Sequence, residues 1–223
     1  MRHGAYEQPE DVPSAWLPYP LTSEGRRQAA AAVPKVRAQL EALGASLAPV
    51  VHASSLLRAV ETARGFIEAF GRDDLELVTT PDLKERGLGS MANLRVSEIE
   101  DIASRDPRVG PLPSGWKSAA HFRLPYGGAE SLSEAGARVA SYVERVVRVA
   151  NQSARVSQAA LFVGHGAAFR HAAVTLGVLE LSQVRGLSMH HCDPLVVERI
   201  EPGAWRHVSG AWKVRTTRVG GGD

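Results

Sequence analysis

Ala159-Ala160-Leu161-Phe162-Val163-Gly164-His165-Gly166 is the stretch on which the fold turns. Its unbroken apolar run stops at a glycine and leads into the helix-like segment Ala167 to Leu176, which predicts a buried strand handing over to a helix. The same order recurs upstream. Pro49-Val50-Val51-His52-Ala53 is a short β-branched run, bounded by Ser54 and Ser55 and followed by a helical stretch to about Phe70. Glu76 to Thr79 predicts a third strand, ended by Pro81. Strands alternating with helices imply an α/β fold around a mainly parallel sheet.

Further out, Leu21-Thr22-Ser23-Glu24 opens a helix that Thr22 or Ser23 can cap, with Leu40 and Leu43 at its far end and Pro34 expected to kink or split it. Ser131 to Ala150 carries Val139, Val143, Val146 and Val147 at helical spacing, and Ser131 with Glu134 forms a capping box. Between them, from Arg86 to Gly128, prolines and glycines crowd around one short helical piece near Ser97 to Ala103. That pattern reads as an insertion over a site rather than a second core. Pro194 to Ile200 and Trp205 to Val208 predict a late hairpin around Pro202-Gly203, and Gly220 to Asp223 a frayed tail.

The 223 residues are 44% hydrophobic and 22% charged, the composition of a globular chain rather than a disordered or fibrous one. Cys192 is the single cysteine, so no disulfide framework is available within one chain. The start lacks an apolar signal region and no apolar run approaches a membrane span, so a cytoplasmic protein without a membrane partner is expected. A formal net charge of +2 gives no reason to expect a nucleic-acid partner.

Three short motifs carry chemistry. Arg2-His3-Gly4 joins a fixed cation to an imidazole, with a glycine that lets backbone approach a ligand closely. Arg58 falls just beyond the predicted strand that ends near Ala53, and His165 where another strand ends. The carboxyl ends of parallel strands are where ligands bind, so Arg58 and His165 converge on one rim and the first tripeptide is a candidate to join them.

In these motifs and their order the chain resembles the histidine phosphatase superfamily, also called phosphoglycerate mutase-like. The likeness runs through Arg2-His3-Gly4, Leu21-Thr22 with Gly25 and Gln28-Ala29, Ser55-Leu56 with Arg58-Ala59 and Thr62-Ala63, Leu83 with Glu85 and Gly89, Glu130-Ser131 with Arg138-Val139, and Gly164-His165-Gly166 with Arg170. It implies one domain over residues 1–223, a three-layer sandwich whose central sheet is flanked by helices, with an insertion at about 86–130 capping the active site. It implies that His3 is the nucleophile, forming a phosphohistidine, and that Glu85 protonates the leaving group. Arg2, Gly4, Arg58 and His165 bind the phosphoryl oxygens, with His165 counted among the catalytic groups. A neutral imidazole whose other nitrogen donates to a carbonyl is a competent nucleophile near pH 7, and cationic donors suit the charge of phosphoryl transfer. The other branch of the superfamily places its acid directly after the second histidine, where this chain has Gly166.

Rival readings stand beside these. Glu76, Glu98 and Glu130 compete with Glu85, and Glu130 fits a supporting place or simply the start of its helix. His121 and Arg123 are candidates for substrate contact, with an ordinary loop as the alternative. Trp16 and Tyr19 suit a pocket for an organic alcohol or the packing of the first helix. His190-His191-Cys192-Asp193 invites a metal site, but consecutive residues rarely point at one ion, so no metal and no cofactor is expected.

Two departures from the family matter. Its members carry an apolar strand before Arg-His-Gly, whereas only Met1 precedes Arg2, so the true start is expected upstream. Its mutases follow the motif with Trp-Asn, whereas this chain has Ala5-Tyr6-Glu7-Gln8-Pro9. The expectation is therefore a metal-independent phosphomonoesterase acting on a phosphorylated small molecule, with a phosphoprotein open as substrate. A phosphoglycerate mutase and a non-catalytic phospho-ligand sensor are the alternatives, and oligomeric state is left unspecified.

Overall fold

The computed structural model describes residues 1–13, 16–153, 157–201 and 203–215, the side chains of 151–153 apart. Its centre is β1 (Ser46–Ser54), paired in parallel with β2 (Glu76–Thr80) on one side and β3 (Gln158–Val163) on the other. The β1–β3 register shifts between Leu47 and Val51, where Pro49 has no N–H to give to the ladder. At its outer side β3 meets the first residues of the chain. Gly164 N–H donates to the Met1 carbonyl at 3.1 Å, His3 N–H to the Gly164 carbonyl at 2.9 Å, and Cys192 N–H to the Arg2 carbonyl at 3.0 Å. Arg2 thus forms parallel bridges with both Gly164 and His191.

Alternation along the strands divides the core into two. Val51, Ala53, Leu161 and Val163 join the cluster built with α1 (Ser23–Ala42) and α2 (Leu57–Phe70). The intervening Phe162 joins the cluster built with α4 (Leu132–Ser153) and α5 (Gly166–Thr175), where His52 stacks on it and bonds the Tyr142 hydroxyl at 2.9 Å. Helices therefore cover both faces of the parallel sheet, in three layers.

The caps explain the helix ends. Thr22 accepts from Gly25 N–H at the start of α1, and Gly71, with φ of 68°, closes α2. Ser131 and Glu134 exchange the reciprocal bonds of a capping box ahead of α4. Of the two outcomes expected from sequence, a kink or a split at Pro34, the split does not occur: α1 runs unbroken through the proline. Pro34 and Ala30 both lie on the exposed face, where water can serve the carbonyl that the proline leaves unbonded.

Residues 86–130 hold α3 (Val96–Arg105) and an apolar cluster of their own, around Leu88, Ile99, Trp116 and Leu124. The segment that reads in sequence as lacking a core thus has a small one. Its base is closed by the Leu88–Ala129 bridge. A short helix α6 (Leu181–Val184) precedes β4 (Leu187–Ser188), and the expected late hairpin is β5 (Val196–Glu201) against β6 (Ala204–Ser209). A last short strand, β7 (Lys213–Val214), pairs with β4. Pro202 in the hairpin turn and the glycine-rich tail lie outside the described residues. Among the described residues no helix is long and apolar enough to cross a membrane.

Candidate active site

His3 stands where the first residues leave the sheet, and it is 2% exposed. Its Nδ1 lies 2.8 Å from the Gly4 carbonyl oxygen, which only accepts, so Nδ1 carries the proton and Nε2 holds the lone pair. Burial first, and then Arg58 and Arg2, hold the imidazole well below the usual histidine range, so it is neutral at pH 7. The loop beyond it is fixed by backbone contact. A Cβ on Gly4 would come 2.6 Å from the Gly25 carbonyl oxygen, and one on Gly25 only 1.9 Å from that of Ala5. Thr22 N–H donates to the Ala5 carbonyl and Gln28 Oε1 accepts from Ala5 N–H. Thr22, Gly25 and Gln28 thus belong with the Arg-His-Gly motif because α1 starts against it.

Arg58, on the first turn of α2, is wholly buried and donates from Nε to His3 Nε2 at 3.3 Å and from Nη1 to the Leu17 carbonyl at 3.2 Å. Tyr6 lies edge-on to His3 at 5.3 Å, and its ring lies 4.7 Å from the Arg58 guanidinium. Opposite, His165 begins α5, its ring 5.1 Å from that of His3. His165 Nε2 meets Ser54 Oγ at 2.8 Å, while Nδ1 is buried without a hydrogen-bond partner among the described residues. Burial, with Arg58, His3 and Arg2, also keeps this ring neutral. Arg2 reaches over Gly166, where a Cβ would come 3.4 Å from its Cδ, and donates to the Met189 carbonyl.

Glu85 is 8% exposed at the mouth of the same cluster, and both Arg2 and Arg58 feel its charge. Its two oxygens accept from the N–H groups of Ala167 and Ala168 in the first turn of α5, and one accepts from Arg86 N–H. A clamp holds its loop. Arg138 makes two 2.8 Å bonds to Glu130 and donates to the carbonyls of Asp82 and Lys84, while Glu130 also accepts from Gly87 N–H. Burial raises the Glu130 carboxyl, but these bonds outweigh it and hold the pKa below its ordinary value.

The structure therefore brings together Arg2, His3, Gly4, Arg58, Glu85 and His165, although Arg2 and His165 are 163 positions apart by number. The rivals fall elsewhere. Glu76 is exposed at the start of β2, at the far end of the sheet, and Glu98 accepts from Arg95 N–H at the start of α3. His121 bonds Ser133 and Arg123 pairs with Glu134, both on the surface. Trp16 and Tyr19 are 41% and 38% exposed, with Trp16 lying over Gly87 and beneath Lys84 Nζ at 4.9 Å. Both packing and a rim for the mouth suit that placement.

One neighbour escaped the sequence reading as a member of this site. His191 lies 5.5 Å from His3, ring to ring, and borders a cavity of about 400 Å³ that Arg2, Lys35 and Lys213 also line. Only the pairing of two distant segments puts it there, so no local signal marks it. Among the described residues no group of three or more His, Cys, Asp and Glu side chains is arranged to hold a metal ion.

A family model described as the histidine phosphatase superfamily (branch 1) matches residues 1–212. A 2,3-bisphosphoglycerate-dependent phosphoglycerate mutase of Bartonella henselae is 28% identical over 198 residues, 88% of each chain. Among solved structures, one described as mycobacterial hydrolase 2 superposes with a TM-score of 0.68 at 22% identity, over 97% of this chain and 91% of that one. A mycobacterial glucosyl-3-phosphoglycerate phosphatase superposes with a TM-score of 0.66 at 22% identity, over 92% and 93%.

Proposed function

The chain belongs to branch 1 of the histidine phosphatase superfamily, and from that premise we propose that it is a phosphomonoesterase working through a phosphohistidine on His3. One observation carries the reading: a neutral imidazole, its Nδ1–H donated to the Gly4 carbonyl, turns its Nε2 lone pair toward Arg58, with Arg2 and His165 alongside.

Arg58 Nε–H donates to His3 Nε2. An incoming phosphoryl group takes that donor onto one of its oxygens, which frees the lone pair to attack phosphorus as the ester oxygen leaves. Arg2 and the unpartnered Nδ1 edge of His165 complete the cradle around the equatorial oxygens, so that catalysis is positioning and charge stabilisation. Glu85 supplies the leaving alkoxide with its proton and takes one back from the water that hydrolyses the phosphohistidine. The arginines provide the positive charge, so activity is expected to persist in a chelator. Residues 86–130 act as the cap over this mouth, within a single domain, and with Trp16 they select the alcohol portion.

Hydrolysis is favoured over a mutase reaction because Ala5 and Tyr6 follow the motif where the family's mutases carry Trp-Asn, and the Tyr6 ring lies against both His3 and Arg58. The mutase reading draws on the Bartonella henselae relative. A panel of small phosphate esters and a phosphopeptide separates the readings. Phosphate release from a small ester without any bisphosphorylated primer is expected. Isomerisation of a phosphoglycerate that depends on primer establishes the mutase, and phosphate binding without turnover establishes a sensor.

A further inference from the structure

His190-His191-Cys192-Asp193 has no part in the chemistry above, yet its backbone runs alongside the nucleophile. The bond from Cys192 N–H to the Arg2 carbonyl fixes that alignment. His191 Nδ1 then lies 2.6 Å from the carbonyl oxygen of His3 itself. On the other side of the same peptide group, Gly4 N–H donates to Thr62 Oγ1 at 3.0 Å, and Thr62 is anchored by donating to the Arg58 carbonyl. The planar unit joining His3 to Gly4 is thus gripped at both of its polar ends. That plane sets the direction in which the Gly4 chain departs, and the Gly4 carbonyl orients the His3 ring through Nδ1.

We infer that His191 is a positioning residue for the nucleophile, its Nδ1–H holding the His3 carbonyl so that His3 Nε2 stays aimed at phosphorus. The carbonyl only accepts, so the proton sits on His191 Nδ1 and the Nε2 lone pair is left over. Burial and Arg2 push this imidazole down to about 4, so the single-proton form is the one present at neutral pH. The inference rests on the reading of His3 as the nucleophile.

The experiment compares H191F, which keeps a ring and removes the donor, with H191N, whose amide nitrogen falls near the position of Nδ1. Rapid-quench measurement of His3 phosphorylation by p-nitrophenyl phosphate is expected to slow about 10- to 100-fold in H191F, the scale of a misplaced reacting group. KM is expected to stay within about twofold, and H191N to recover most of the rate. A merely structural role would move Tm, KM and kcat together in both variants, and that result overturns the inference. So does an H191F protein phosphorylated at the wild-type rate. Should H191F not fold, nitrogen-15 NMR of the wild-type protein decides: a proton on His191 Nδ1 supports the assignment and a proton on Nε2 alone refutes it. A wild-type protein that turns substrate over without labelling His3 refutes the nucleophile reading and takes this inference with it.

Discussion

Replacing Arg58 by Met removes a wholly buried charge that touches His3, the proposed nucleophile, while keeping a long apolar stem in the same space. Two consequences follow from its contacts. The phosphoryl oxygens lose one charge-matched donor in a water-excluded site, an effect of about 3–4 kcal/mol, or roughly a hundredfold to a thousandfold in kcat. After burial, Arg58 is also the largest influence lowering the His3 and His165 pKa values, so its loss lets both rise toward the ordinary histidine value. The acid limb of kcat/KM therefore moves to higher pH in R58M, because His3 is protonated sooner as pH falls. Steady-state hydrolysis of p-nitrophenyl phosphate between pH 4.5 and 8, with thermal unfolding as the check on folding, measures both. A variant within about threefold of wild type in kcat, or an acid limb that moves downward, refutes the cradle.

Stability should fall on acidification. His3, His165, His171 and His191 all have folded pKa values below the unfolded value near 6.5, with His171 and His191 at about 4. Below pH 6.5 the unfolded chain binds more protons, and each group that stays neutral costs about 1.4 kcal/mol per pH unit, the loss for His171 and His191 running from about 6.5 down to about 4. Urea unfolding at pH 7 and pH 5 checks this, and equal stability at the two contradicts it. Arg138→Leu strands the half-buried Glu130 and the loop carbonyls, and should destabilise by about 2–4 kcal/mol while lowering kcat through Glu85. An unchanged urea midpoint would show that the clamp is not needed. Gly25→Ala puts a Cβ 1.9 Å from the Ala5 carbonyl oxygen, so α1 and the loop after His3 must separate, at a cost of roughly 1–3 kcal/mol or more. Retention of wild-type Tm and activity would mean that the contact yields freely.

What the sequence disclosed was local, and what it concealed was pairing at long range. The runs at Pro49–Ala53 and Ala159–Val163, and the Ser131–Glu134 capping box, are complete within a few residues, and each forms where it was expected. Arg58 and His165 could be placed on one rim because the carboxyl ends of parallel strands gather ligand-binding groups, so strand position stood in for distance. Arg2, His3 and Gly4, by contrast, were only candidates to join them, and Glu85 was named through the family likeness alone. That Pro34 would leave α1 unsplit was not legible because propensity says nothing of which face of a helix meets water. The small core under Leu88, Ile99 and Trp116 was hidden by a segment whose glycines and prolines break every periodicity. His191 was hidden because its place depends on the bridge to Arg2, 189 positions away by number. Arg138 with Glu130 was visible as part of the family likeness, but its purpose shows only once the Glu85 loop is seen resting on it.

The most direct measurement is the site of covalent phosphate during turnover. Protein quenched in alkali within milliseconds of mixing with a labelled phosphate ester should carry acid-labile, base-stable label, which peptide mass spectrometry places on His3 alone, and His3→Ala should carry none and release no phosphate. Label on another residue, or a His3→Ala protein that hydrolyses the ester at the wild-type rate, contradicts the account.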